Sequence, residues 1–193
     1  MKSRKSLVVA AAIAVLCGIS AESNAAVPVN LGLFEPVQIA AVDDDVRGFE
    51  LGIFWDRSAE MYGLAIAGGG NIANAEMRGA MVSVGFNWCD ADCTGVTAAL
   101  GFNRTGGSFS GVQWAYGANI CHGDMRGLQD ACSNYANRMH GLQVGLVNMG
   151  HDVRGLQVGV INTAEEMSGV QIGILNFIRN SKLPFFPIVN AKF

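Results

Sequence analysis

Cysteine is the residue type of this chain best suited to covalent chemistry. Four of the five cysteines, Cys89, Cys93, Cys121 and Cys132, lie beyond the first 25 residues. In an oxidising compartment such thiols can pair as disulfides. Cys89 and Cys93 lie in one short segment, so we predict that they can form a disulfide that closes a turn. The spacing leaves the pairing of Cys121 and Cys132 open.

Histidines and an acidic run are the candidate metal ligands. The pair Cys121-His122 does not add a second ligand pair at zinc spacing to Cys89 and Cys93. The run 43–45 is acidic but lacks the loop spacing of a calcium motif. We therefore expect no metal and no cofactor, and we expect the histidines to lie in solvated turns. These histidines are His122, His140 and His151.

Catalytic and nucleic-acid-binding patterns are missing from the sequence. Cys121 lies in Asn-Ile-Cys-His-Gly, which lacks the first glycine of a nucleophile elbow. Gly68–Gly70 is not followed by Lys-Ser/Thr, so a bulge or tight bend is expected there instead of a phosphate loop. The net charge is -3 without a basic patch, which makes nucleic acid an unlikely partner. We predict that the chain is not an enzyme.

A repeat organises most of the chain. The segments 141–148, 155–162 and 169–176 align without gaps as Gly-(Leu/Val)-Gln-(Val/Ile)-Gly-(Leu/Val/Ile)-(Val/Ile/Leu)-Asn, and their first glycines are 14 residues apart. Upstream the unit has 16 residues and opens at Gly63, Gly79, Gly95 and Gly111, whereas Gly48 opens a unit of 15. Repeats of this kind indicate that one small structural unit is used many times.

Each unit has the alternation of a β-strand. Leu142, Val144 and Leu146 alternate with Gln143 and Gly145, a period of two that excludes an amphipathic helix. Most charges fall between the strand cores, where we expect solvated connections. Asp56, Arg57 and Glu60 are among these charges, whereas only Glu50 and Asp130 are charged within strand cores.

The first architecture that fits is an up-and-down β-barrel of about twelve strands in an outer membrane. Leu142, Val144 and Leu146 would face lipid, and the even repeat would keep all strands in the same facial parity. The terminal Phe193 is typical of a closing barrel strand. Five glutamines at one repeat position would then form a polar band in the lumen. They are Gln113, Gln129, Gln143, Gln157 and Gln171.

The alternative architecture is a β-solenoid, in which each unit is one coil. The glutamines would then stack in a ladder. Asn148, Asn162 and Asn176 would form a second ladder at a corner, while valines and leucines would fill the core. The similarity of successive connections favours this alternative, since a barrel has short turns at one end and longer loops at the other.

The first 25 residues read as a signal peptide, which leaves residues 26–193 as a single β-repeat domain. Lys2, Arg4 and Lys5 precede an apolar run, and small residues follow at 23–25. The alternatives are an uncleaved anchor helix and a lipid anchor at Cys17. We expect an exported protein, located in the outer membrane or at the cell surface of a Gram-negative bacterium, or in the periplasm.

The repeats and the C-terminal segment together resemble a family of bacterial surface-repeat proteins, the leptospiral-type surface-repeat family. Its motif Gly-Leu-Gln-Val-Gly-Leu-Val-Asn stands at 141–148, and its Pro-Ile-Val-Asn ending stands at 187–190. The resemblance implies an envelope location but no activity. It predicts a structural or passive-transport protein of the outer membrane. The alternative is a soluble exported β-solenoid that acts as a protein-interaction module, and in either case the protein partner or solute stays unknown.

Overall fold

The computed structural model of the protein describes residues 26–34, 37–41 and 43–193. The predicted signal peptide lies outside them. Within the described residues all regular elements are β-strands. They are β1 (Ala26–Phe34), β2 (Val37–Gln38), β3 (Asp45–Gly52), β4 (Trp55–Ser58), β5 (Met61–Ala67), β6 (Gly70–Ala73), β7 (Met77–Ser83), β8 (Phe86–Cys89), β9 (Cys93–Ala99), β10 (Phe102–Thr105), β11 (Phe109–Ala115), β12 (Ala118–Asp130), β13 (Ser133–Ile178) and β14 (Phe185–Lys192).

The strands wind into a β-solenoid with two parallel sheets. Sheet A contains β3, β5, β7, β9, β11 and the second half of β12; sheet B contains β4, β6, β8, β10 and the first half of β12. Each coil gives one strand to each sheet, and β13 continues the winding through the 14-residue units. The alternative sequence interpretation, a β-solenoid, is therefore confirmed.

The predicted barrel is wrong, because neighbouring strands run parallel. Gly63 lies beside Gly79, and Gly79 beside Gly95, in exact register. An up-and-down barrel needs antiparallel neighbours. The alternation of side chains reports which residues share a face, but both architectures require the same alternation. Only the direction in which neighbouring strands pair distinguishes the barrel from the solenoid, and the sequence pattern does not indicate this direction.

A column of nine stacked glycines fixes this register. Their φ angles lie between 129° and 153°, where side chains are strained. A Cβ atom built on Gly111 would lie 1.9 Å from the carbonyl oxygen of Gly95, and the other glycines from Gly63 onward show similar distances. Each first glycine of a repeat unit is therefore required by contact with the coil before it.

The core between the sheets is thin and partly polar. Sulfur-containing and aromatic side chains form one buried row, which includes Met61, Met77, Phe109 and Met125. The valines and leucines that we expected to fill a solenoid core do not, because most of them point outward from sheet A. The inward positions between them carry the repeated glutamines, which are fully buried.

Two ladders of amides stabilise this polar interior. Gln143 Nε2 donates to Gln129 Oε1 at 2.8 Å, and Gln157 Nε2 donates to Gln143 Oε1 at 2.7 Å. In the other ladder Asn134 Nδ2 donates to Asn148 Oδ1 at 2.9 Å. The glutamine donors point towards the N-terminus and the asparagine donors towards the C-terminus, so the two rows of amide dipoles oppose each other.

Strands of different character close the two ends of the described solenoid. At the N-terminal end β1 pairs parallel with β3 and antiparallel with β2. At the C-terminal end β14 pairs antiparallel with the last segment of β13, which places Asn190 beside Gln171. Asn190 is 4% exposed, so the polar interior continues into the closing strand.

Candidate binding face

Sheet A presents an apolar outer face. The residues one, three and five positions after each column glycine point away from the core, and most are aliphatic. On a typical monomer the largest apolar patch covers about 300–600 Å² and is often functional, so this face is a candidate binding surface. The well-exposed large hydrophobic residues on it are Leu51, Ile53, Leu64, Ile66, Val82, Val84, Val96, Leu100, Trp114, Tyr116, Leu146, Val160, Ile172 and Ile174.

Sheet B exposes fewer large hydrophobic side chains. Trp55, Met149, Leu175 and Phe177 are the well-exposed ones on its strands within the described residues. Others contact each other. The rings of Phe86 and Phe102 stack with centroids 5.5 Å apart, and the Arg104 guanidinium lies 4.2 Å from the Trp88 ring centroid. Sheet A is therefore the stronger candidate for binding.

A groove of about 610 Å³ crosses the C-terminal half of the apolar face. Val144, Leu146, Val158, Val160, Ile172 and Ile174 line it together with glycines and Cys132. The glycines leave space for the asparagine ladder, because a Cβ atom on Gly145 would lie 2.7 Å from Asn134 Nδ2. The ladder therefore requires glycine at this position.

Ile188 borders this groove with a strained backbone. Its φ angle is 71°, and it is 73% exposed. A β-branched residue at positive φ is unfavourable, and such strain is concentrated at functional sites. Ile188 adds an exposed apolar side chain at the edge of the groove.

Ion pairs form a rim along one side of the face. Arg78 Nε lies 2.7 Å from Glu76 Oε1, and Arg154 lies 3.4 Å from Asp152. Tyr62 donates a hydrogen bond to Glu60 at 2.7 Å, which with the neighbouring acids raises the pKa of the phenol to about 12. Exposed pairs of this kind add little stability, but they leave the rim nearly neutral.

The predicted disulfide is present, and the two remaining described cysteines differ. Cys89 and Cys93 are bonded inside the core. Cys121 is buried, and burial raises the pKa of its thiol to about 11. Cys132 is exposed in the groove of sheet A. Of the two free thiols, Cys132 is thus the accessible one.

The predicted polar band exists, but it is a buried ladder and cannot line a lumen. The glutamines Gln113, Gln129, Gln143, Gln157 and Gln171 are 0% exposed. From Gln129 onward each donates to the preceding member and to a backbone carbonyl, as Gln143 does to Met149. The band is therefore structural and cannot contact a ligand.

The histidines and the acidic run do not converge. His122 packs against Tyr135, and His151 Nδ1 lies 3.0 Å from Glu165. Asp44 accepts a hydrogen bond from the backbone of Ala41. Among the described residues no group of three or more His, Cys, Asp or Glu could hold a metal ion.

Gly68 and Gly69 lie in a bend and stack on the carbonyl groups of Ile53 and Phe54.

Three acids at the N-terminal end are buried among the described residues: Asp44, Glu50 and Asp56 are 7%, 1% and 0% exposed. The sequence placed Glu50 in a strand core, but Asp56 was expected in a solvated connection. A sequence signal existed, because Asp56 stands eight residues after Gly48, as Asn71 stands eight after Gly63. Asp56 is thus a repeat-position residue that replaces an asparagine.

Comparisons with protein-family models, with curated proteins and with solved structures found no match to this chain. Within the part of the chain that the structure describes, there is no helix long and apolar enough to cross a membrane.

Proposed function

We propose that this chain is a protein-interaction module that binds through the apolar face of sheet A. The observation that carries the proposal is the repeated array of exposed aliphatic side chains along the solenoid. Interface centres are apolar and their rims polar, and the face has this anatomy. The internally paired rim also supports a protein partner over an anionic lipid surface, because it offers little net positive charge.

The occupant that we propose for the face is a second copy of the chain. The nine rungs span eight steps of about 4.8 Å, and the face is about five residues of 3.3 Å wide, which gives an area of roughly 630 Å². Each partner of a standard interface buries about 800 Å² of accessible surface. Two copies also share the same row spacing, so their side chains can interdigitate about a twofold axis, as in packed β-sheets.

Changing Val160 to lysine is expected to weaken self-association at least tenfold, about 1.4 kcal/mol, because an ammonium group would be buried in the groove. Val160 is 39% exposed on sheet A. Met149→Lys is the matched control, since Met149 is 37% exposed on sheet B. Sedimentation velocity over a range of concentrations measures both variants against the unchanged chain.

A chain that stays monomeric at all concentrations would contradict the second copy as partner, as would equal effects of Val160→Lys and Met149→Lys. The unchanged chain is also tested for binding to vesicles of phosphatidylethanolamine and phosphatidylglycerol. If it binds them and Val160→Lys abolishes that binding, the occupant of the face is a lipid surface. The vesicle measurement therefore distinguishes a lipid surface from a second copy as the occupant of this face.

Export of this module to the envelope and membership in the surface-repeat family are further proposals. Export is supported by the charged, apolar and small-residue segments of the first 25 residues, and membership by the repeats at 141–176 and the ending at 187–190. Osmotic shock should release a periplasmic protein, whereas salt or a chelator should wash a surface-attached protein from intact cells.

A further inference from the structure

The N-terminal coil contains the buried carboxyl groups of Glu50 and Asp56, and only one of them receives hydrogen bonds from the protein. Glu50 Oε1 accepts a hydrogen bond from Asn30 Nδ2 at 2.8 Å, and Glu50 Oε2 accepts one from Ser58 Oγ at 3.4 Å. Neither oxygen of Asp56 has a hydrogen-bond partner. An ionised carboxylate buried without donors is strongly unfavourable, so Asp56 requires a separate explanation.

Asp56 occupies the position that begins the asparagine ladder. It pairs in register with Asn71, whose Nδ2 donates to Asn87 Oδ1 at 2.8 Å. From Asn87 onward each ladder oxygen accepts from the preceding amide, as Asn103 Oδ1 does from Asn87 at 2.9 Å. Asn71 Oδ1 is buried and has no donor, because residue 56 has a carboxyl group in place of an amide.

The carboxyl group of Asp56 is enclosed by backbone from two neighbouring strands. A Cβ atom on Gly52 of β3 would lie 2.2 Å from Asp56 Oδ2, and one on Gly32 of β1 would lie 2.7 Å from Oδ1. The next coil has Ala67 where this coil has Gly52. The two glycines therefore leave the space that the carboxyl group fills.

We propose that Asp56 is a neutral carboxylic acid in the folded protein, that its O–H donates to Asn71 Oδ1, and that loss of this proton loosens the N-terminal coil. One proton satisfies the unpaired acceptor of Asn71 and removes the buried charge at the same time. The ladder is then continuous from residue 56, with a carboxylic acid as its first donor.

The charges around Asp56 agree with this assignment. Among the described residues Glu50 of β3 is the titratable group whose charge acts on it, and Arg57 follows it in the chain. Burial, followed by the charge of Glu50, raises the pKa of Asp56 to about 7. Burial raises the pKa of Glu50 as well, although its donors oppose the shift. Two polar neighbours of Asp56 are neutral, namely Asn71, which pairs with it in register, and Gln38, which lies with it against Gly32.

The sign of the pH dependence follows from the raised pKa. Between the ordinary value of 3.8 and about 7 the folded chain binds more protons at Asp56 than the unfolded chain does. Stability contributed by this group therefore decreases as the pH rises through that interval, and the loss is complete above it. Alkaline conditions should weaken the coil that contains β3 and β4.

The test compares urea unfolding of the full chain and of Asp56→Asn at pH 5 and pH 8. At each pH the unfolding equilibrium constant of the unchanged chain is divided by that of Asp56→Asn. We expect this ratio to be about 100-fold larger at pH 8 than at pH 5. The asparagine supplies an N–H to Asn71 at every pH. Asp152→Asn, a change at a half-buried rim acid, is the control and should keep the pH dependence of the unchanged chain.

Infrared spectroscopy of the unchanged chain gives a second readout that does not depend on whether a variant folds. A carboxylic acid C=O band of a buried group should be present at pH 5 and disappear near pH 7 as a carboxylate band appears. A ratio between the two chains that does not change with pH would overturn the proposal, as would absence of the acid band. If added Ca²⁺ stabilises the unchanged chain at pH 8 but does not stabilise Asp56→Asn, a bound cation would neutralise the Asp56 carboxylate in place of a proton. That result would also overturn the proposal.

Discussion

Gly111→Ala is expected to unfold the protein or to lower its free energy of unfolding by about 4 kcal/mol or more. The φ angle of Gly111 is 136°, and an added Cβ atom would lie 1.9 Å from the carbonyl oxygen of Gly95. The oxygen belongs to the backbone of the adjacent coil, so it cannot move without separating the stacked strands. Most domains have only about 5–15 kcal/mol of stability in total.

The neighbouring variant Ser110→Ala controls for a change at the same rung. Ser110 is half-buried and its φ angle is not positive. The substitution Ser110→Ala should therefore change the unfolding free energy of the protein by less than about 0.5 kcal/mol. Urea unfolding followed by circular dichroism measures both variants. Equal midpoints for Gly111→Ala and Ser110→Ala would show that the glycines do not stack as described.

Gln143→Leu is expected to destabilise the chain by about 2–4 kcal/mol although it makes the core more apolar. Gln143 donates to Gln129 and accepts from Gln157 in the buried ladder. A leucine would leave an oxygen of Gln129 and an N–H of Gln157 without these partners. The unfolding free energy from urea titration gives the effect.

Leu142→Gln is the matched control, because it makes the opposite exchange one residue earlier. Leu142 is half-buried on the outer face of sheet A, so the loss should stay below about 1 kcal/mol. If leucine were stabilising at 143 and glutamine strongly destabilising at 142, the inward and outward faces would be assigned incorrectly.

Local features of this fold could be predicted from the sequence. The alternation at 142–146 correctly places Leu142 and Gln143 on opposite faces, although the solenoid interpretation put the leucines in the core. The predicted ladder of Asn148, Asn162 and Asn176 is confirmed, with N–H···O distances of 2.8 and 2.7 Å. These features depend on a period of two and on an even repeat length, which can be read from the residues alone.

The pairing direction of the strands could not be predicted from the sequence. The reason is that each unit places polar side chains inside and aliphatic side chains outside. A polar interior with an aliphatic exterior is the expected pattern for a barrel in lipid. Here the buried glutamines bond to one another, so their burial needs no water-filled lumen. The pattern is then compatible with a narrow solenoid whose aliphatic face is available to a partner.

The binding face and the buried acids differ in how far the sequence indicates them. The alternation shows which residues share the face but not that the face points outward, and the groove beside Ile188 depends on how the closing strand pairs with β13. Asp56 was recognisable by its position in the repeat. Its burial depends on Gly32 and Gly52, whose contacts are set by the stacking of three strands.

The spacing of successive coils tests the solenoid, on which the binding face depends. Spin labels on Ser168 and, in turn, on Ser110, Thr94, Arg78 and Arg47 span four, five, six and eight steps of the glycine column. The background carries Cys17→Ser, Cys121→Ala and Cys132→Ser, and the label pairs are measured by double electron–electron resonance.

The stacked coils predict backbone separations of about 19, 24, 29 and 38 Å for these four pairs, a linear increase of about 4.8 Å per coil. Label linkers broaden each distribution but leave the slope unchanged. Distances that fail to increase with the number of coils would contradict the solenoid, and with it the aliphatic face proposed as the binding surface.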